Sequence, residues 1–372
     1  MSIRRRNGRW QARFRGPDGR ERSRTFDRKI DAERWITTER AALVEGRWID
    51  PRVGDITVAT FAGAWLANRP MRDQTRLGYE RMLRLHILPT FGGRPLGAIR
   101  PSEVESWLSS LSTTLAASTV QVVLRVTSSL FRTAVRDRLI VRSPTDGVRA
   151  PRPPTRILEP LSLDEVAALV DAAPDRYRAL IQLAAGSGLR QGELFAVTTS
   201  TLNTLRREVK VEAQLVQLDG GPPVVRPPKS EASIRVVPLA DVTVEAIAVH
   251  LATFGAGPGG LVFTSRSGDP LRRISFSQQW RKIVARSTVD RERVVFHELR
   301  HFYASVLIAA GASVKVVQSR LGHSSAALTL NTYTHLWPDD SEVTRAAIQD
   351  ALTGGLAVST RSDDGLTSRK AW

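Results

Sequence analysis

The stretch RLGHSSAALTLNTYTH (residues 320–335) holds one of only four tyrosines in the chain, Tyr333, ten residues after His323. Leu330 and Tyr333 are three positions apart and share a face if the segment is helical. Periodicity alone therefore predicts a short amphipathic helix, with Leu328 and Leu330 anchored against a core. On that reading the tyrosine is an ordinary inward aromatic. Whether its hydroxyl does chemistry depends on the rest of the chain.

The sequence is 372 residues long, more than one ordinary domain, and its 42% hydrophobic content suffices for packed cores. It contains no cysteine, which excludes a disulfide framework, a thiolate metal site and a cysteine nucleophile. No apolar run approaches the roughly 18 residues a membrane span needs. The basic start MSIRRRNGRW lacks the apolar stretch of a secretory signal. The expectation is a soluble cytoplasmic protein. A net charge of +17, much of it arginine, points to a polyanionic partner, because each phosphate contact releases condensed counterions. A generally basic surface is the plain alternative.

Charge is unevenly spread. Residues 1–29 carry eleven basic side chains against three acidic ones. Within them Trp10, Ala12 and Phe14 alternate with polar neighbours before a GPDG turn, predicting a hairpin with a basic open face. Helical spacing follows through Trp35, Ile36, Glu39 and Leu43, with Gly46 at its end. From Thr57 to about Val141 the pattern is helical throughout. Val58, Phe61, Ala62 and Trp65 make one stripe, and Val104, Trp107, Leu108 and Leu111 another; Val120, Val123, Leu124, Leu130, Phe131 and Ala134 make a third. A proline- and arginine-rich linker follows over residues 142–156. Beyond it Ser162 and Glu165 form a capping box that opens a mostly helical region with one β insertion. The expected fold class is mainly α with small β-sheets (α+β). The expected domains are 1–52, a three-stranded sheet plus helix; 56–148, all helical; 157–352, mixed; and a flexible tail at 353–372.

Four segments of the last domain stand out. SGLRQGEL carries Arg190 and Glu193; RPPKSEASIRVVPL puts Lys229 beside a β turn; HELRHFYAS carries His297 and Arg300; and RLGHSS precedes NTYTH. In combination they resemble the tyrosine recombinase, or phage integrase, family from residue 1 to about 350. On that pattern Arg190 matches the first arginine motif and Lys229 the β-hairpin lysine. His297 and Arg300 match the His-x-x-Arg pair, His323 the His/Trp position and Tyr333 the nucleophile. The resemblance implies an arm-type DNA-binding domain first, where Arg4, Arg5, Arg6, Arg13, Arg15, Arg22 and Arg24 are candidate DNA contacts. It implies a helical core-binding domain second and a catalytic domain third. It also implies a homotetramer on core and arm attachment sites, DNA clamped between the second and third domains, and no metal or other cofactor. An excisionase or a host DNA-bending protein would be further partners, and the residue 341–356 helix, with Val343, Ala347, Ile348 and Ala351 on one side, would dock on a neighbouring protomer.

The residue types suit that chemistry. A tyrosine hydroxyl attacking phosphorus keeps the backbone energy in a phosphotyrosyl ester, so no nucleotide is needed for rejoining. Tyrosine titrates near pH 10 and needs a proton acceptor, which the family pattern assigns to His297. Arg190 and Arg300 would bracket the non-bridging oxygens, with His323 adding a hydrogen bond and Glu193 orienting Arg190. Lys229 would protonate the leaving 5′ oxygen. Each residue also has a plain reading: a surface arginine, a lysine in a turn, a structural pair at a helix start. His301 adjoins the pair, but His297 shares the Arg300 face and His301 lies about 100° round the helix from Arg300. Tyr303 is the rival nucleophile, on a helix read as buried. A non-catalytic DNA binder, a type IB topoisomerase and a host-type Xer-like recombinase are the alternatives. The first would form no covalent adduct, and the second would relax supercoils without site choice.

Overall fold

The computed structural model describes residues 2–16, 19–45, 48, 54–153, 159–218, 221–228, 230–290, 294–337 and 341–360, without the side chains of 343 and 354–360. The chain divides into two compact units, Met1–Arg156 and Ile157–Trp372.

The first unit opens with an antiparallel sheet in the order β1 (Ser2–Arg6), β2 (Arg9–Arg15), β3 (Glu21–Phe26). The turn between β1 and β2 takes positive φ at Asn7 and Gly8, as a tight two-residue hairpin requires. Ala12 and Phe14 of β2 are buried with Ala32 of helix α1 (Lys29–Val44). Phe14 and Phe26 meet Trp35 of α1 at ring-centroid distances of 6.4 and 6.0 Å. Cross-strand partners share a face. Register therefore places Arg4, Arg6, Arg9, Arg13 and Arg15 on the open face. Arg5, Arg22 and Arg24 fall on the α1 side, over the rings of Trp10, Trp48 and Phe26. The seven candidate arginines thus occupy two faces of the sheet. Gly46, the expected end of α1, lies outside the described residues.

A helical bundle follows: α2 (Val58–Asn68), α3 (Asp73–Met82), α4 (Leu88–Phe91), α5 (Pro101–Ser112) and α6 (Ala117–Arg136). A π-helical turn, Leu83–Ile87, joins α3 to α4 directly before Pro89. The wider turn relieves the clash between a proline ring and the carbonyl four residues back. Thr57 Oγ1 caps α2 by accepting the Thr60 N–H. The three apolar stripes converge on one core, in which Val58, Val104, Val120, Leu130 and Phe131 are fully buried. Leu111 and Leu124 pack at its edge.

The second unit begins with α7 (Leu163–Asp171), held by the reciprocal Ser162–Glu165 box at 3.1 and 2.7 Å. Helix α8 (Asp175–Ser187) is central and packs against α7, α10 (Asp241–Phe254) and α12 (Glu298–Ala309). Its Leu180, Ile181 and Leu183 are fully buried. Between α8 and α10 lie α9 (Gln191–Phe195) and two small sheets. One sheet pairs β4 (Leu202–Asn203), β5 (Glu208–Val211) and β8 (Arg235–Pro238) in the order β4-β5-β8; the other is a hairpin of β6 (Gln214–Gln217) and β7 (Pro223–Arg226). The insertion read as one sheet is therefore two. Glu212 and Ala213, between β5 and β6, break the ladder, so β8 pairs with β5 alone.

After α10 come α11 (Arg273–Arg286), α12, α13 (Val314–Leu321), α14 (Ala326–Tyr333) and α15 (Ser341–Thr360). Helix α14 corrects an expectation. Leu328 and Leu330 are exposed, and the buried positions are Thr329 and Tyr333, one turn apart. A hydrogen bond from Thr329 and the large ring of Tyr333 turn this helix, and the two leucines are left outside. Helix α15 runs to Thr360, a turn past the 341–356 span expected for it; a Gly-Gly pair weakens a helix by about 1 kcal/mol per residue without ending it. No helix among the described residues is long and apolar enough to cross a membrane.

Candidate active site

Two helix ends build the floor of the site. Helix α8 stops at Gly188 (φ 60°) and α13 at Gly322 (φ 64°), each in the left-handed conformation that glycine supplies without strain. Both positions are also crowded. A Cβ on Gly188 would lie 2.4 Å from Cδ1 of Tyr303, and one on Gly322 would lie 2.8 Å from Nη1 of Arg235. The carbonyls left unpaired at these ends are taken by arginines. Arg300 donates from Nη1 to Gly188 O and from Nη2 to Leu321 O, both at 2.6 Å. Arg190 donates from Nη2 to Gly322 O at 2.9 Å. Helix C-termini carry partial negative charge, which favours guanidinium there.

Arg190 precedes α9, and Glu193 sits inside that helix's single turn. The carboxylate accepts the Arg190 backbone N–H at 2.9 Å and its Nη1 at 2.8 Å. It also accepts Nη2 of Arg235 at 2.9 Å. Burial pushes the Glu193 carboxyl up, but the Arg235 hydrogen bond and charge, then Arg190, outweigh it and leave the group below the usual carboxylate range. Arg235 is itself buried and donates further to Arg320 O at 2.7 Å and Ser233 O at 2.9 Å. No sequence motif marks Arg235, which reads as one residue of a strand. The available signal was its place two residues before the buried Val237, on the inward side of β8.

Arg300 is only 3% exposed. Burial lowers its affinity for the proton, and the neighbouring Arg190 charge adds to this; a guanidinium still stays charged at neutral pH. Three guanidiniums, Arg190, Arg235 and Arg300, thus surround one carboxylate, Glu193. The surplus of positive charge is a standing demand for an anion. Arg190, half-open to solvent, and Arg300 each engage only part of their donor set on the protein.

The remaining candidates assemble around Tyr333, which is 1% exposed. Its ring stacks on His323 at 11° between planes and 6.5 Å between centroids. His323 is buried, and its Nδ1 lies 2.8 Å from Thr329 Oγ1. That contact leaves Nε2 for a substrate. The phenol oxygen of Tyr333 lies 2.8 Å from Nδ1 of His301. His297, one turn earlier on the same helix face, meets the His301 ring edge-on at 4.9 Å and remains exposed. Among the described residues His297 makes no side-chain hydrogen bond. His301 lies off the Arg300 face, and its closest neighbour on its own helix face is His297, at i and i+4. Tyr303 is buried beneath Gly188. Lys229 lies outside the described residues.

Electrostatics set the resting state. Burial pushes Tyr333 up to about 12, only partly opposed by Arg300. His301 and His323 are each held down at about 4, first by burial and then by neighbouring charges, His297 and Arg300 for His301 and Arg300 and Arg190 for His323. His297 is lowered as well, with burial again ahead of Arg300 and Arg190. The proton therefore rests on the phenol. Complete transfer to His301 ahead of the reaction is strongly uphill. No phenolate is stored, so proton loss has to accompany bond formation to the electrophile.

This constellation and fold define a class, the enzymes that attack a phosphodiester with tyrosine from within an arginine cradle. Comparison with known proteins gives the family. The Phage integrase family profile matches residues 159–339, the phage integrase N-terminal domain residues 2–45, and the phage integrase N-terminal SAM-like domain residues 57–112. The putative prophage phiRv2 integrase of Mycobacterium tuberculosis is 32% identical over 343 residues, 88% of this chain and 89% of that protein. Among solved structures, the Tn1549 transposon integrase in complex with a circular intermediate DNA superposes with a TM-score of 0.69 at 22% identity, over 80% of this chain and 99% of that one. The lambda integrase tetramer bound to a Holliday junction gives a TM-score of 0.59 at 20% identity, over 87% and 96%. The chain belongs to the phage integrase family of tyrosine site-specific recombinases.

Proposed function

We propose that Tyr333 is the nucleophile of DNA strand exchange, forming a 3′-phosphotyrosyl link at core sites during integration or excision of a phage or other mobile element. The observation that carries this reading is the buried Tyr333 beside the Arg300 guanidinium, with Arg190 and Arg235 held close by on one carboxylate, Glu193. Arg190 and Arg300 bind the non-bridging oxygens of the scissile phosphate and stabilise the charge that grows on them in the transition state. His323 donates from Nε2 to the same phosphate, with Glu193 fixing Arg190 in place. His297, on the open side, shuttles protons at the phosphate, and Lys229 protonates the 5′ oxygen as it leaves.

The first unit holds basic surface suited to a DNA backbone in two places, its sheet and its bundle. The open face of the N-terminal sheet presents Arg4, Arg6, Arg13 and Arg15 for arm-type sites, and Arg5, Arg22 and Arg24 add basic charge on the α1 side of the sheet. In the bundle, a cleft of about 560 Å³ is lined by Trp65, Arg69, Ser129, Arg132 and Arg136. The working assembly is a homotetramer that exchanges strands in pairs through a Holliday junction, with α15 docking on a neighbouring protomer. An excisionase or a DNA-bending host protein sets the direction.

The test is a nicked duplex carrying the crossover sequence read from the junctions of the integrated element. Cleavage releases the short strand and traps the enzyme covalently. Wild type accumulates the covalent complex and Tyr333→Phe does not; trapping by the Phe variant removes Tyr333 from the mechanism. Deleting residues 1–52 spares this trapping and lowers integrative recombination, and unchanged recombination would sink the arm-site role.

A further inference from the structure

Tyr333 and His301 belong to different helices, α14 and α12, and meet at one pair of atoms. The phenol oxygen stands 2.8 Å from His301 Nδ1, with the rings inclined at 63°. Among the described residues this is the only side-chain hydrogen bond of that hydroxyl. His297 lies on the same helix face but forms no bond to the phenol. It rests edge-on against His301 and keeps its exposure. The two imidazoles therefore differ in what they meet: His301 faces the nucleophile and His297 faces solvent.

We infer that His301 is a catalytic residue, the immediate acceptor of the Tyr333 proton in strand cleavage and its donor in rejoining. The inference rests on Tyr333 being the nucleophile. In cleavage the Tyr333 oxygen forms its bond to phosphorus while its proton passes to Nδ1 of His301. The bond from phosphorus to the 5′ oxygen breaks, and that oxygen leaves with a proton from a separate acid, the role given above to Lys229. In rejoining the 5′ hydroxyl attacks, its proton returns to that acid, and the departing tyrosine oxygen recovers its own from His301. Both protons are restored over the cycle.

The surroundings suit the acceptor role. The charged or titratable groups acting on His301 are His297 and Arg300 of its own helix, with Tyr333 facing it from α14. Burial first, and then His297 and Arg300, keep the ring neutral, and a neutral imidazole with its proton on Nε2 presents the Nδ1 lone pair to the phenol. Arrival of a phosphate anion between Arg190 and Arg300 offsets that positive charge and raises the basicity of the ring as the reaction begins.

The experiment uses the full-length protein and the nicked duplex described above, in two versions. One has the normal 5′ bridging oxygen; the other has sulfur there, whose thiolate leaves without help from an acid. Rates of covalent complex formation are compared for wild type, His301→Ala, His301→Asn and Lys229→Ala, with DNA retention measured alongside. The asparagine amide can hold a hydrogen bond near the Nδ1 position but cannot take a proton, and it preserves the packing if alanine does not. Loss of a positioned base is expected to slow both His301 variants by about 100-fold or more, equally on the oxygen and sulfur substrates. Sulfur is expected to restore Lys229→Ala alone. A wild-type rate from His301→Asn, or rescue of either His301 variant by sulfur, overturns the proposal. Trapping by Tyr333→Phe would instead remove the nucleophile reading on which it rests.

Discussion

Glu193 offers the sharpest test of how the arginine cradle is held. Its carboxylate joins α9 to β8 by accepting Arg190 twice and Arg235 once. Glu193→Ala leaves Arg235 buried without its counter-charge, and breaking a buried pair typically costs about 3–5 kcal/mol. Here the lower end, about 3 kcal/mol, is expected, because Arg235 keeps its bonds to Arg320 O and Ser233 O while Arg190 can turn to solvent. Glu193→Gln keeps the shape but aims an amide N–H at one of the two guanidiniums, which should cost roughly 1–3 kcal/mol. The assay is a urea titration followed by hydrogen exchange of peptides within 163–336, which isolates the second unit. The sign with pH follows from the lowered carboxyl. The Glu193 contribution is present above the unfolded-state value of 4.5 and is lost as pH falls through the lower folded-state value. Covalent trapping should fall in both variants as Arg190 loses its anchor. Wild-type stability of Glu193→Ala would refute the claim that this carboxylate holds the cradle.

Three further outcomes follow from the same geometry. The second unit should lose stability as pH falls from 6.5 toward about 4, since the buried His323 is neutral in the fold and charged in the unfolded chain, a difference worth up to about 3 kcal/mol; thermal unfolding across that window measures it, and bound DNA should reduce the loss. Gly188→Ala should destabilise by roughly 1–3 kcal/mol, because its positive φ and the ring of Tyr303 both oppose a side chain there; a thermal midpoint equal to wild type would contradict this. Thr329→Val preserves shape but leaves His323 Nδ1 without its partner. The lost bond, about 1–1.5 kcal/mol, converts to roughly tenfold in trapping rate with DNA retention unchanged.

Much of this protein is legible without coordinates. Apolar stripes such as Val58, Phe61, Ala62 and Trp65 found their core, because a helix period of 3.6 leaves one face to bury. The Ser162–Glu165 box formed as read, since capping is a local matter of a few residues. Motif order and charge led to the family through residues that need no partner to be recognised. Tertiary structure decided the rest. Arg300 reaches a carbonyl 112 positions away and Arg190 one 132 positions away. Such bonds depend on where two helices end against each other, which no periodicity encodes. The inward turn of α14 went against its leucines, because Thr329 had to reach His323 and Tyr333 had to fill the core. Likewise, sequence could place His297 and His301 one turn apart, but only packing of α12 against α14 determined which imidazole touches the tyrosine. Local physics sets which residues are candidates; the meeting of distant chain segments sets which atoms react.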